Sequence, residues 1–141
     1  MTLTATYEKT VPFHDLDPVG ILWHGNYVAY MEEAREFFLQ KYGLGYLQML
    51  HQGYIEPVTH VDIDYKGSFQ YGDTAVIEVR YVPSKRSRID LEYRFFRKSD
   101  GRLMTQATSS QHFIVADTKE VAFSRPDFYK QWQDKWKVFE Q

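Results

Sequence analysis

No cysteine occurs anywhere in the 141-residue chain. That absence excludes a disulfide framework, a thiolate nucleophile and a Cys-ligated zinc, and leaves the compartment open. No apolar run approaches the length that spans a bilayer. Met1 to Thr6 lacks the basic start and apolar core of a signal peptide, so a cytoplasmic protein is expected. A large excess of either charge is lacking as well, with 17 Lys and Arg against 19 Asp and Glu. A formal net charge of -2 gives no general attraction to nucleic acid or an anionic membrane, and only a local basic patch could hold phosphates. Ser109, Ser110 and His112 raise the question of a serine hydrolase, but the G-x-S-x-G elbow is missing, and Ser110 and His112, on one strand face, read as sheet surface. Neither repeats, low-complexity tracts nor linkers break the chain, and one domain over residues 1–141 is expected.

What is present describes a globular chain: 43% hydrophobic, 17% aromatic and 26% charged residues, with aromatics frequent enough to line a pocket as well as a core. Ala5 to Phe13 reads as a strand, with Tyr7, Val11 and Phe13 on one face. From Asn26 to Tyr42 the apolar positions Tyr27, Tyr30, Met31, Ala34, Phe37, Phe38 and Tyr42 recur at helical spacing, and Gly43 closes the helix. Gly45 to Gly53 reads as a short helical turn or loop. Period-two alternation then marks strands at Thr59–Tyr65, Ala75–Tyr81, Ile89–Phe95 and Leu103–Val115, the last pair joined by a hairpin at Asp100-Gly101. Tight links between long strands imply an antiparallel sheet. Arg125-Pro126-Asp127 opens a terminal helix with Phe128, Trp132, Trp136 and Phe139 along one stripe, which reads as packing.

One stretch carries the density of a site. Phe13 to Tyr27 holds two carboxylates (Asp15, Asp17), two imidazoles (His14, His24), Pro18, Gly20, Gly25 and a helix start. Pro18 and Gly20 punctuate a turn, and Asn26 is placed to cap the long helix. Backbone N–H groups around His24 to Asn26 are expected to face a ligand unpaired, where an anionic oxygen is welcome.

Phe13, Asp15, Asp17, Pro18, Gly20, Ile21, Trp23, Asn26 and Tyr27 together resemble the signature of the 4-hydroxybenzoyl-CoA thioesterase family, and element order along nearly the whole chain is similar too. The resemblance implies an α+β hot-dog fold, a long central helix packed against a curved antiparallel sheet. It implies acyl-CoA thioester hydrolysis with no prosthetic group and no metal, coenzyme A entering only as part of the substrate. Asp17 matches the catalytic carboxylate, acting as nucleophile or general base. His24 matches the position whose backbone N–H polarises the thioester carbonyl, with Gly25 beside it as a second donor. Lys85, Arg86 and Arg88 resemble the basic residues that grip coenzyme A phosphates, contacts that in the family often reach a neighbouring subunit. A homodimer or homotetramer is implied, and an acyl carrier protein is an alternative carrier.

Each residue also has a plainer role. Asp17 could close an Asx turn, and Asp15 is placed to hold the turn through backbone hydrogen bonds. The His24 side chain could orient substrate, although its N–H is enough. His14, Asp15, Asp17 and His24 do not have the spacing of a zinc site. Glu32 and Glu33 resemble a helix carboxylate used by another hot-dog lineage, but a solvated face with Arg35 nearby explains them. Lys85, Arg86 and Arg88 could form an ordinary charged hairpin tip. Two rival functions remain: a hot-dog hydratase or dehydratase, against which the D-x-D-P-x-G run argues, and a non-catalytic module that binds acyl thioesters or acyl carrier protein, which could dispense with Asp17.

Overall fold

Alternation of apolar and polar residues builds the sheet, and a 3.6-residue apolar stripe builds the helix that covers it. The computed structural model describes residues 2–140. Along it run β1 (Thr4–Thr10), a 3-10 turn (Phe13–Asp15), α1 (Asn26–Lys41), α2 (Tyr46–His51), β2 (Tyr54–Ile55), β3 (Val58–Tyr65), β4 (Thr74–Val82), β5 (Arg88–Arg97), β6 (Leu103–His112), β7 (Ile114–Val115) and α3 (Asp127–Lys135). Five strands form one antiparallel sheet in the order β1-β4-β5-β6-β3, and β2 pairs with β7 beside it. The expected α+β architecture, one long helix on an antiparallel sheet, is the one observed. Among the described residues no helix is long and apolar enough to cross a membrane.

The core lies between α1 and the inner face of the sheet. Ala75, Ile77 and Val79 of β4, with Ile89 and Phe95 of β5, are fully enclosed, and they pack in one cluster with Tyr27, Tyr30, Met31, Ala34 and Phe38 of α1. Each large apolar side chain removed from water in this way contributes about 1.5–3 kcal/mol. The outer face is charged, and its register sets Arg80 opposite Glu92 and Glu78 opposite Arg94. Those pairs form ion pairs in the structure, each of small worth where solvent screens it.

α1 stops where the chain turns left-handed. Gly43 has φ +83°, and the N–H groups of Gly43 and Leu44 bond the carbonyls of Gln40 (3.2 Å) and Leu39 (2.8 Å), the paired bonds of a Schellman end.

Several expectations are corrected. β1 ends at Thr10 rather than Phe13, because Pro12 brings no N–H to a ladder and the chain coils into the 3-10 turn, leaving Phe13 75% exposed. Phe37 is 46% exposed, resting on the Tyr7 ring instead of in the core. The last long strand breaks at Phe113, whose ring packs against Phe128 and Tyr129, and Ile114–Val115 switch partner to β2. Of the two readings for Gly45 to Gly53, the helical one holds: the segment contains α2, of which Met49 alone is buried. The terminal stripe extends beyond the helix, since α3 ends at Lys135. Tyr129 and Trp132 carry its packing, and Phe139 is 42% exposed.

Candidate active site

The stretch from Phe13 to Asn26 folds as a small hairpin against the leading end of α1. Trp23 N–H donates to the Asp15 carbonyl (3.0 Å), Asp17 N–H to the Ile21 carbonyl (2.8 Å) and Gly20 N–H to the Asp17 carbonyl (3.0 Å). Gly20 supplies the φ of +88° that the tip requires. Leu22 N–H ties the returning arm to the Phe69 carbonyl at 2.8 Å. Gly25 has a different reason to be glycine: a Cβ there would stand 2.3 Å from the Trp23 ring.

Asp17 is half-buried. Its Oδ1 accepts from the N–H groups of Val19 (2.8 Å) and Ile21 (3.4 Å), closing an Asx turn, and Oδ2 takes part in neither bond. The plainer role is thus present, but it occupies one oxygen and fixes the direction of the other. Two residues of ladder, about 7 Å, separate the Asp17–Ile21 step from the Asp15–Trp23 step, after which the chain reaches His24. Among the described residues the N–H groups of His24 and Gly25 have no acceptor. Two of the three expected donors are therefore unpaired, on the same loop as Asp17, while the Asn26 N–H is taken by the Trp23 carbonyl (2.9 Å).

The Asn26 cap does not form. Gly25 occupies the cap position with no side-chain bond, and the Asn26 amide instead donates to the Asp15 carbonyl (2.9 Å). Asp15 is tied down twice over, its backbone by Trp23 and Asn26 and its Oδ2 by the Tyr30 hydroxyl (2.7 Å). Burial and that carboxylate push the Tyr30 hydroxyl's pKa well up. The His24 ring is exposed beside Trp23, and its carbonyl accepts from the Tyr65 hydroxyl (2.8 Å). His14 is exposed, 3.4 Å from Asp15. Glu32 pairs with Arg35 (2.8 Å), and Glu33 accepts from the Tyr7 hydroxyl (2.8 Å).

Lys85, Arg86 and Arg88 do not share an end of the molecule with Asp17. At the trailing end of α1 the Tyr42 hydroxyl donates to the Thr4 carbonyl (2.6 Å), Thr4 lies opposite Arg80 of β4, and the basic turn follows β4 directly. Sixteen helical residues, about 24 Å, therefore lie between it and the hairpin. There Lys85, Arg86, Arg88, His112, Arg125 and Lys130 line a cleft of about 670 Å³. Arg88 is committed to Asp90 (3.0 Å) and Arg125 to Gln133 (2.7 Å). Among the described residues the side chains of Arg86 and Lys130 have no partner. Arg125 and Lys130 escaped the sequence reading because they sit in the terminal helix region, and only the fold brings them to the turn between β4 and β5.

Glu56 was missed as well. It is held largely out of solvent, and burial pushes its pKa up to about 7 against the opposing pull of Arg35. The signal in the sequence is a lone carboxylate among Tyr54, Ile55, Pro57 and Val58.

Comparison with known proteins adds to this geometry. A family model described as the thioesterase-like superfamily matches residues 11–133. YneP of Bacillus subtilis, provisionally named an acyl-CoA thioesterase, is 28% identical over 129 residues, 89% of this chain and 93% of its own. The structure of a DHNA-CoA thioesterase from Staphylococcus aureus superposes with a TM-score of 0.85 at 28% identity, covering 97% of this chain and 91% of that one. The 4-hydroxybenzoyl CoA thioesterase of Pseudomonas sp. strain CBS-3 shares the fold, with a TM-score of 0.80 at 22% identity over 92% of this chain and 98% of that one.

Proposed function

The chain belongs to the thioesterase-like superfamily, and from that premise we propose that it hydrolyses an acyl-CoA thioester to a free carboxylic acid and coenzyme A. The observation that carries this reading is the pairing, on one loop, of a half-buried Asp17 with a free Oδ2 and two unpartnered N–H groups at His24 and Gly25. The thioester carbonyl oxygen accepts from those amides, which stabilise the negative charge it gains as the carbon becomes tetrahedral. Asp17 either attacks the carbon itself or takes a proton from the water that does. The carbon–sulfur bond then breaks, the acyl group leaves as the acid, and sulfur leaves as a thiolate. A thiolate is a weak base and departs with little help from an acid, so the site needs no triad and no prosthetic group.

The nucleotide end of the substrate is assigned to the basic cleft, where Arg86 and Lys130 are the cations with no internal partner. Since that cleft and Asp17 of the same chain lie at opposite ends of α1, a site using both draws them from two subunits. β3 is an edge strand of eight residues, and an open edge of that length is a template for a second copy. A homodimer or a homotetramer built on it, acting in the cytoplasm on CoA or acyl carrier protein esters, completes the reading.

A panel of aromatic, short-chain and fatty acyl-CoA esters, with the matching acyl carrier protein esters, tests it by release of free thiol. Catalytic release from at least one ester class is expected. Stoichiometric binding with no release from any would make the protein a thioester-binding module.

A further inference from the structure

The cations of the basic cleft are held in two different ways. Arg88 is spent on a carboxylate, its Nε 3.0 Å from Asp90 Oδ2. Arg125 donates through Nη1 to the side-chain oxygen of Gln133 (2.7 Å) and, among the described residues, makes no ion pair. A carboxylate in place of that amide would cancel the guanidinium's charge, whereas a neutral acceptor fixes one N–H and leaves the charge and the remaining donors uncommitted. Among the described residues no Asp or Glu lines the cleft.

The surroundings of Gln133 decide which way its amide faces. It lies on α3, 1% exposed, and a buried amide is unfavourable unless its polar atoms find partners. Its nitrogen donates to the Tyr81 hydroxyl (2.9 Å) and to the Ser84 carbonyl (2.8 Å). The Tyr129 hydroxyl donates to the Arg88 carbonyl (3.2 Å), so Tyr81 is the donor in the short bond between the two tyrosines, and the Tyr81 oxygen is left to accept from Gln133. Turned over, the amide would set its oxygen against the Ser84 carbonyl and its NH2 against the Arg125 guanidinium, two acceptors together and two donors together. The end of β4 and the turn after it thus commit the Gln133 oxygen to Arg125.

Tying α3 to the sheet does not require this amide. An apolar side chain among Tyr81, Tyr129 and Trp132, which pack in the core with their rings in contact, would do so with no polar group to satisfy. What the amide adds is a half-buried cation that is fixed and uncompensated, in the same cleft as the unpartnered Arg86 and Lys130. A guanidinium held in one orientation loses little freedom on pairing and can offer two parallel N–H groups to one phosphate.

Resting on the reading that places the nucleotide end of the substrate in this cleft, we propose that Arg125 is a phosphate-binding residue and that Gln133 is the positioning residue that aims it without neutralising it. With Arg86 and Lys130, Arg125 suits a ligand that carries more than one phosphate group. A thioester without phosphates gains nothing from Gln133.

The test uses the whole chain, adenosine 3′,5′-bisphosphate as a free ligand, and matched CoA and pantetheine esters. Arg125→Gln is expected to raise the Kd for the bisphosphate and the KM for the CoA ester by roughly ten-fold, while kcat and the KM for the pantetheine ester stay within about two-fold. Gln133→Met should show the same split at about three-fold or more, and the double variant should stay within about two-fold of Arg125→Gln alone, because a residue acting through Arg125 has nothing left to aim. Full additivity would overturn the positioning role, as would a Gln133→Met that impairs both esters equally, the mark of a purely structural contact. Should Gln133→Met not fold, Gln133→Glu replaces it: an oxygen for Arg125 remains, the charge is cancelled, and bisphosphate binding as tight as in the native protein overturns the proposal. Unchanged bisphosphate binding in Arg125→Gln overturns it too, and weakened binding in Arg86→Ala would then keep the nucleotide in the cleft. A native protein that does not bind the bisphosphate sinks that placement and this proposal with it. Absence of thiol release, with bisphosphate binding lost in Arg125→Gln, would sink the hydrolysis reading and leave this one standing.

Discussion

Glu56 carries a consequence for stability that can be measured apart from activity. Its carboxyl holds a proton up to about pH 7 in the folded protein against an ordinary value of 4.5, with burial the leading cause. The folded state therefore binds more protons than the unfolded state between those values, and stability falls as pH rises through that window. Glu56→Gln removes the titration. Urea unfolding is expected to show the variant gaining on the native protein by on the order of 2 kcal/mol between about pH 5 and about pH 8. A difference that does not change with pH would place Glu56 in solvent. The other instructive residue is Asp17, whose Asx turn and proposed chemistry were posed as alternatives in the sequence. The structure lets both hold, because the turn uses Oδ1 and leaves Oδ2.

Among elements, the join between the hairpin and α1 matters most. Tyr30 in the second turn of the helix donates to Asp15 (2.7 Å), so the helix positions the hairpin that carries Asp17. Tyr30→Phe leaves a carboxylate oxygen without its donor and is expected to cost about 1.5–3 kcal/mol of stability. It should also lower kcat more than it raises KM, since the loop loses its anchor while the amides stay in place. Unchanged thermal unfolding and kinetics would show that the contact carries nothing. The strands were legible in the sequence because β4, β5 and β6 alternate one buried face with one solvated face. α1 was legible because its stripe holds the helical period from Tyr27 to Phe38. What failed to show were contacts made by chain reversal: the break at Phe113, the swing of Asn26 to the Asp15 carbonyl, and the approach of Arg125 and Lys130 to the β4–β5 turn. Periodicity within a segment says nothing about which distant segment will supply a partner.

At the scale of the whole molecule the separation of the basic cleft from Asp17 makes the proposed site one that two subunits would share. Arg86→Ala is expected to raise KM for a CoA ester several-fold while sparing a truncated pantetheine ester, which has no nucleotide. If each cleft serves the partner's Asp17, co-refolding Asp17→Asn with Arg86→Glu in equal amounts restores one intact site in half of the dimers. Activity at low substrate then recovers to roughly a quarter of the native value, well above either variant alone. No recovery would put both halves of the site in one chain, against the geometry of α1.

The most direct measurement compares Asp17→Asn with the native protein on the best ester of the panel, following thiol release and, separately, equilibrium binding of the ester. Thiol release should fall by roughly 100-fold or more while binding stays within a few-fold, since the amide side chain keeps the turn and loses the charge. Release within about three-fold of the native rate, with binding unchanged, would contradict the account, because the carboxylate of residue 17 would then have no part in breaking the thioester.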